Sequence, residues 1–322
     1  MTAKPNTHPT IRIGTRGSPL ALAQTYETRE RLAAAWPDLA QPPVGGVDPV
    51  EIEVIKTTGD MVLDRPLSEI GGKGLFTREL DDAMLDGRIR IAVHSMKDVP
   101  TYLPDGIVLP CILPREDVRD AFICLKAKSI ADLPAGSVIG SSSLRRGAQI
   151  LNRRPDLKVV NFRGNVQTRM RKLEEGVVDA TLLAMAGMRR LGLQQHITGS
   201  IETEDMLPAV AQGAIGITCR ADDEDALRYL APLNCQDSFD RVTAERAFLT
   251  KLDGSCRTPI AALATLDGDT MFFRGLIVSP DGKALHSTSR TGSRADGVAM
   301  AIDAAEELFK AAGPGFFDFM TS

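Results

Sequence analysis

Over the first 220 residues, short apolar runs alternate with segments of helical period. That alternation restricts the chain to a layered α/β fold with mostly parallel strands. IRIGT (11–15) reads as a strand that turns at Gly14 and Gly17. Ser18 then reads as an N-cap with Pro19 at the first helical position, and Leu22, Tyr26 and Arg29 recur at helical spacing. QPPVGGVDP (41–49) is a loop, VEIEV alternates as a strand, and GGKGLFTRELDDAMLDGR is a glycine turn opening into a helix with Phe76, Leu80 and Met84 on one face. IRIAVHS is the next strand. The pattern restarts at ILPREDVRDAFICL, and 137–184 reads strand, helix, strand, helix, strand. LPAVAQGAIGIT adds one more strand. After Cys235 the texture changes: AERAFLTKL is helical, a three-stranded meander turns at Asp267-Gly268 and Asp281-Gly282, and ADGVAMAIDAAEELFKAA closes as a helix.

At 322 residues the chain exceeds one core and reads as two or three domains. Its 43% hydrophobic and 25% charged residues are those of a soluble globular protein, and no apolar run approaches the roughly 20 residues that span a bilayer. The N-terminal MTAKPNTHPT lacks the apolar core of a secretory signal and reads as a disordered lead-in. Cys111, Cys124, Cys219, Cys235 and Cys256 are odd in number and widely spaced, which fits a reducing cytoplasm. No histidine stands at zinc-like spacing from a cysteine, so no protein-bound metal is expected.

Charge is the next constraint. The whole chain carries −4, yet residues 137–176 hold nine Arg and Lys against three Asp and Glu. Arg145 and Arg146 follow Ser141-Ser142-Ser143 where a strand gives way to a helix. Arg163 and Arg169 flank a second such junction in NFRGNVQTR. Strand-to-helix turns lie at one edge of an open sheet, where α/β folds bind ligands, and free N–H groups there favour anions. Aromatics are only 5% of the chain and Phe162 is the single one in this patch, so base-stacking platforms for nucleic acid are missing. GGKGLF lacks the Ser/Thr and spacing of a phosphate loop. A small molecule bearing several carboxylates remains.

Two further stretches stand out. AVHSMKDVP (92–100) ends a buried strand with Lys97 beside Asp98. Alone it reads first as a polar strand end, and only second as a placed acid and base. Cys256, in the loop KLDGSCRTP beside Arg257, reads equally as an inert thiol and as a reactive one, since a neighbouring cation favours the thiolate.

GTRGSPLALAQ, GGKGLFTREL, AVHSMKDVPT, REDVRDAFI, GSSSLRRGAQ, NFRGNVQTRMRKL, PAVAQGAIGI and LDGSCRTPIAA follow one another over nearly the whole chain. Together they resemble the porphobilinogen deaminase (hydroxymethylbilane synthase) family. The resemblance implies two periplasmic-binding-protein-like (type II) α/β domains around a central cleft, plus a small α+β third domain with a three-stranded sheet. Domain 1 would span 10–113 and 214–234, domain 2 114–213 and domain 3 235–322. It implies a transferase of porphyrin biosynthesis, cytoplasmic and monomeric, with porphobilinogen as substrate and neither nucleic acid nor membrane as partner. It also implies one dipyrromethane cofactor per chain, held by a thioether to Cys256. Asp98 matches the family's catalytic aspartate. Arg16, Ser18, Lys73, Lys97, Ser141, Ser143, Arg145, Arg146, Arg163, Arg169 and Arg190 match its binding set, while Arg153, Arg154 and Arg171 read as surface charges. Glu69, Thr218 and the 41–49 loop depart from the family pattern.

Overall fold

A computed structural model of the chain describes residues 10–40, 48–61, 74–252 and 259–317. Lys73, Glu69, Cys256 and most of the 41–49 loop lie outside these. The first sheet is built from β1 (Ile11–Thr15), β2 (Val50–Val54), β3 (Ile91–Ser95), β4 (Ile107–Ile112) and, from much later in the chain, β10 (Ile215–Arg220), in the order β2-β1-β3-β10-β4. The second holds β5 (Asp120–Cys124), β6 (Val138–Gly140), β7 (Lys158–Val160), β8 (Ala180–Ala184) and β9 (Gly199–Ile201), in the order β7-β6-β8-β5-β9.

The two sheets share one plan. β1 runs parallel to β2 and β3, and β6 parallel to β7 and β8. Parallel neighbours need crossover connections, which include α1 (Pro19–Ala35), α2 (Thr58–Met61) and α3 (Arg78–Leu85) in the first lobe and α4 (Leu144–Arg153) and α5 (Val166–Glu174) in the second. Each lobe then accepts one antiparallel strand, β10 or β5, between its third strand and an edge. The chain therefore passes between the lobes twice, at 113–119 and at 202–214. This is the expected periplasmic-binding-protein-like arrangement. α6 (Met185–Arg190) follows β8, and α7 (Glu224–Leu230) follows β10.

The third unit is an antiparallel sheet of β11 (Ile260–Asp267), β12 (Thr270–Val278) and β13 (Leu285–Ser293), with α8 (Gln236–Lys251) and α9 (Gly297–Ala312) packed against it. Phe248 of α8 lies on Gly275, where a Cβ would come within 2.6 Å of the ring, so only glycine fits. The first hairpin loop is Gly268-Asp269, one residue later than Asp267-Gly268, and Gly268 takes the positive φ of +56° that the first loop position of a II′ turn requires.

α8 also ties the lobes together. Glu245 is fully buried and accepts from Arg115 Nη1 (2.6 Å) and Nη2 (2.9 Å), and from the backbone N–H groups of Ala211 (2.7 Å) and Ala264 (2.9 Å). One carboxylate thus holds both crossing segments and the third sheet, with its acceptor sites filled as a buried charge requires.

Candidate active site

The candidate residues gather where parallel strands end, which is where their backbone N–H groups are free to meet a ligand. In the first lobe β1 runs into Arg16, and Ser18 caps α1 by accepting the Ala21 N–H at 3.2 Å. Asp60 grips the Arg16 guanidinium with both oxygens, one of them at 3.1 Å from Nε, and Thr57 Oγ1 donates to it at 2.8 Å. Burial pushes the Asp60 carboxyl up, but Arg16 and Thr57 outweigh it and hold the pKa below the ordinary value. The Phe76 ring lies 4.1 Å from the guanidinium carbon. Phe76 precedes α3 rather than sharing a face with Leu80 and Met84, because it covers Arg16 instead of entering the helix core.

β3 ends in a tight turn over Met96–Asp98, closed by the Val99 N–H on the Met96 carbonyl at 3.2 Å. Asp98 is half-buried, and its Oδ2 lies 3.8 Å from Arg16 Nη1. Arg16, Ser18, Gln24, Phe76, His94 and Asp98 line one pocket. His94 Nε2 lies 2.9 Å from Thr218 Oγ1 across the sheet. Burial lowers the His94 pKa to about 4, with Arg16 and Arg246 adding to the effect, so the imidazole is neutral at neutral pH.

A consequence is measurable. An unfolded chain takes up this proton near 6.5, but the folded protein does not until about 4. The unfolded state therefore binds more protons between those values, and stability falls as pH drops through that window. The urea midpoint should decline on acidification from 6.5 to 4, and decline less in His94→Gln. An identical decline in both proteins would show that His94 does not titrate this way.

The second lobe holds the cations. Arg145 and Arg146, in the first turn of α4, are buried, and each donates at 2.7 Å to one oxygen of the fully buried Asp120. Arg145 also donates to the Leu207 carbonyl (2.7 Å), Arg146 to the Leu182 carbonyl (3.2 Å), and Gln212 Nε2 to Asp120 (2.9 Å). Burial raises the Asp120 pKa, but the two guanidiniums more than reverse that and hold it far below the usual carboxylate range. The Nε atoms of both arginines are buried without a partner among the described residues. The Arg169 pKa falls to about 10 through burial and the nearby charges of Arg146 and Arg163. Lys97 joins the cluster from the first lobe: burial lowers its pKa, Arg146 and Arg145 lower it further, and Asp98 and Asp120 oppose them.

Serines brace the floor. Ser141 Oγ accepts the Ser143 N–H (3.2 Å), and Ser143 caps α4 by accepting the Arg146 N–H (3.4 Å). Ser142 joins this turn to the next one, donating to Asn161 Oδ1 (2.7 Å) and accepting the Phe162 N–H (3.2 Å).

The expected binding set thus divides. Arg16, Ser18 and Asp98 share the first-lobe pocket, and Lys97, Arg145, Arg146, Arg163 and Arg169 share one electrostatic cluster. Arg190 instead spans the lobes, donating to Glu27 of α1 (3.2 Å) and to the Gly213 carbonyl (3.2 Å). Arg154 is no idle surface charge: it donates to the carbonyls of Ile130, Ala131 and Leu133 and pairs with Asp156. Sequence reasoning missed Asp60 and Asp120. For Asp120 the one available sign was an acid opening the apolar run DAFIC.

Cys111, Cys124 and Cys219 are buried. Burial pushes the thiols of Cys111 and Cys219 up to about 12 and about 11. Among the described residues no cluster of His, Cys, Asp and Glu is arranged to hold a metal, and no helix is long and apolar enough to cross a membrane.

Two family models match the chain: "Porphobilinogen deaminase, dipyromethane cofactor binding domain" over residues 11–228 and "Porphobilinogen deaminase, C-terminal domain" over 239–310. The chain is 63% identical over 311 residues to the chloroplastic porphobilinogen deaminase of Oryza sativa subsp. japonica, covering 96% of this chain and 86% of that protein. It is 60% identical to the chloroplastic porphobilinogen deaminase of Pisum sativum (96% and 83% covered) and 59% identical to the porphobilinogen deaminase of Paracoccus denitrificans (strain Pd 1222), with 99% and 100% covered. Among solved structures, the methionine-binding protein MetQ is 14% identical, with 70% of this chain and 89% of that chain covered and a TM-score of 0.42.

Proposed function

The chain belongs to the porphobilinogen deaminase family, and on that premise we propose that it joins four porphobilinogens head to tail, with loss of one ammonia at each step. The linear hydroxymethylbilane then leaves by hydrolysis, a step of porphyrin biosynthesis. The observation that carries this reading is the gathering of Lys97, Arg145 and Arg146 about one buried aspartate, Asp120, with Arg169 close to Arg146 and Asp98 close to Lys97. Lys97, Arg145, Arg146 and Arg169 outnumber Asp98 and Asp120, and that local surplus of positive charge calls for anions. Each pyrrole ring of the substrate brings an acetate and a propionate.

The same surplus fits the dipyrromethane group that the family model names. The buried, unpartnered Nε atoms of Arg145 and Arg146 mark guanidiniums not fully used by the protein. When bound, that group supplies the pyrrole carbon onto which the first substrate is joined. We assign its attachment to a thioether at Cys256, one per chain. Arg16, Ser18, Lys73, Ser141 and Ser143 complete the set that holds carboxylates, and Arg190 supports it from the lobe junction. We read the boundaries 10–113 with 214–234, 114–213 and 235–322 as the three domains, and the protein as a cytoplasmic, monomeric transferase.

Asp98 performs the chemistry. As the C–N bond of the aminomethyl group breaks, the electron pair leaves with nitrogen as ammonia, and the pyrrole nitrogen pushes in behind it. The substrate ring is left cationic, and the Asp98 carboxylate offsets that charge. The same carboxyl hands a proton to the departing amine and receives one from the ring carbon once the new C–C bond has formed. Lys97 and Arg16, its neighbours, meet substrate carboxylates.

The test is to supply purified protein with porphobilinogen and follow ammonia and hydroxymethylbilane, which should appear at about four to one. Arg169→Leu should raise KM about 10- to 150-fold, the equivalent of a charge-assisted hydrogen bond of about 1.5–3 kcal/mol, and lower Tm less than Arg154→Leu, since Arg169 gives up one backbone contact, to the Gly164 carbonyl at 3.0 Å. Arg154→Leu should lower Tm and leave KM alone, because Arg154 bridges three backbone carbonyls and the Asp156 carboxylate. Similar KM increases in both would mean that the ligand meets a different face of the arginine cluster.

A further inference from the structure

The turn that carries Asp98 belongs to two cores at once. Its strand, β3, lies in the first sheet. Yet Met96 and Val99, on either side of Lys97-Asp98, are buried in the apolar cluster that holds Val242, Ala244 and Phe248 of α8. Polar bonds repeat the connection. Arg246 of α8 donates through Nη1 to the Val99 carbonyl at 3.1 Å and through Nη2 to the Pro100 carbonyl.

This is an unusual use of a guanidinium. Burial lowers the Arg246 pKa to about 10 with no carboxylate among the described residues contributing, so the half-buried charge faces neutral carbonyls. Such an arrangement costs free energy that apolar packing at the same place would not. The backbone it hangs from has little play, because the preceding residue, Glu245, is fixed by Arg115, Ala211 and Ala264. α8 then ends at Lys251 and leads into the segment that contains Cys256.

We propose that Arg246 is a positioning residue for Asp98: by clamping the carbonyls of Val99 and Pro100 it fixes the Asp98 turn to α8, and so to the start of the segment that α8 feeds. The two fork nitrogens act on successive carbonyls, which sets the direction of the turn as well as its distance. A single-donor side chain would leave it free to swivel. The inference rests on the reading of Asp98 as the catalytic carboxylate.

The experiment compares Arg246→Met and Arg246→Lys with wild type and Asp98→Asn, each purified as the cofactor-bearing protein. kcat, KM, Tm and intact mass are measured for each. Arg246→Met should keep the adduct mass and hold KM within about twofold. Its kcat should fall about 10- to 100-fold, the effect of a carboxylate misplaced by about 1 Å. Arg246→Lys, which retains the charge and one donor at a time, should recover part of the lost kcat. If Arg246→Met yields no folded protein, Arg246→Gln takes its place under the same criteria. Wild-type kcat in a folded, loaded Met or Gln variant overturns the proposal whatever its Tm, and so does a rise in KM at constant kcat. A full-rate Asp98→Asn enzyme would instead overturn the catalytic reading beneath it.

Discussion

Cys256→Ala should be recovered as a folded protein of bare polypeptide mass, colourless and without measurable turnover. The loss is expected to be complete, because the proposed reaction extends a primer held covalently at Cys256, and without that anchor there would be nothing to extend. Three of the other cysteines are poor substitutes. Cys111 and Cys219 lie in β4 and β10 with their thiols pushed up to about 12 and about 11, so almost no thiolate exists at neutral pH. The Cys124 sulfur accepts the N–H groups of Lys126 and Ala127 and donates to the Asp179 carbonyl, which makes it part of the local fold. Cys124→Ala should therefore keep the adduct. A pyrrole adduct persisting on Cys256→Ala would place the anchor elsewhere.

Asp98→Asn should lose about 10²–10³-fold in the rate of ammonia release, the usual effect of removing a preorganised group that acts on transition-state charge. Asparagine keeps the shape and one acceptor but offers neither the negative charge nor a carboxyl that can give up and take back a proton. Substrate binding should suffer far less, since the proposal gives the carboxylates to the arginines of the second lobe. Asp98→Glu should fall between the two, because it keeps the charge but displaces it. Cofactor content has to be measured alongside, so that loss of turnover is separated from loss of the primer. Loaded Asp98→Asn turning over near the wild-type rate would contradict the role given to Asp98.

Much of this fold is readable from local pattern, and the failures have local causes. Alternation and turn residues locate β1, β2, β3, β6, β8 and the third-unit meander. β4 is obscured by Pro110, which a central strand would not tolerate, but β4 is the sheet edge, where a missing N–H is harmless. α1 was legible as a helix, yet its buried face is Gln24, Thr25, Thr28 and Leu32 rather than Leu22 and Tyr26. The threonines enter the interior because Thr25 and Thr28 satisfy their hydroxyls on the carbonyls of Ala21 and Gln24.

The site divides the same way. That Arg145 and Arg146 form a cation patch is visible in a window of charge. That one buried Asp120 serves both is not, because the partner comes from a strand 25 positions earlier in the chain. Arg154 shows the converse: beside Asp156 it holds the carbonyls of Ile130, Ala131 and Leu133, and backbone partners leave no mark in sequence. In the sequence, only its motif marks Asp98 as a candidate. The turn's dependence on α8 joins residues 147 apart and could come only from the folded chain.

The central claim is that this chain builds its product on a primer covalently attached to itself. Intact-protein mass, measured on the wild-type enzyme before and after brief exposure to porphobilinogen, tests it directly. The account predicts a resting mass above the polypeptide by two porphobilinogens less two ammonias, and after exposure a ladder of species each heavier by one porphobilinogen less one ammonia. A resting mass equal to the bare polypeptide, with no ladder while hydroxymethylbilane accumulates, would contradict it.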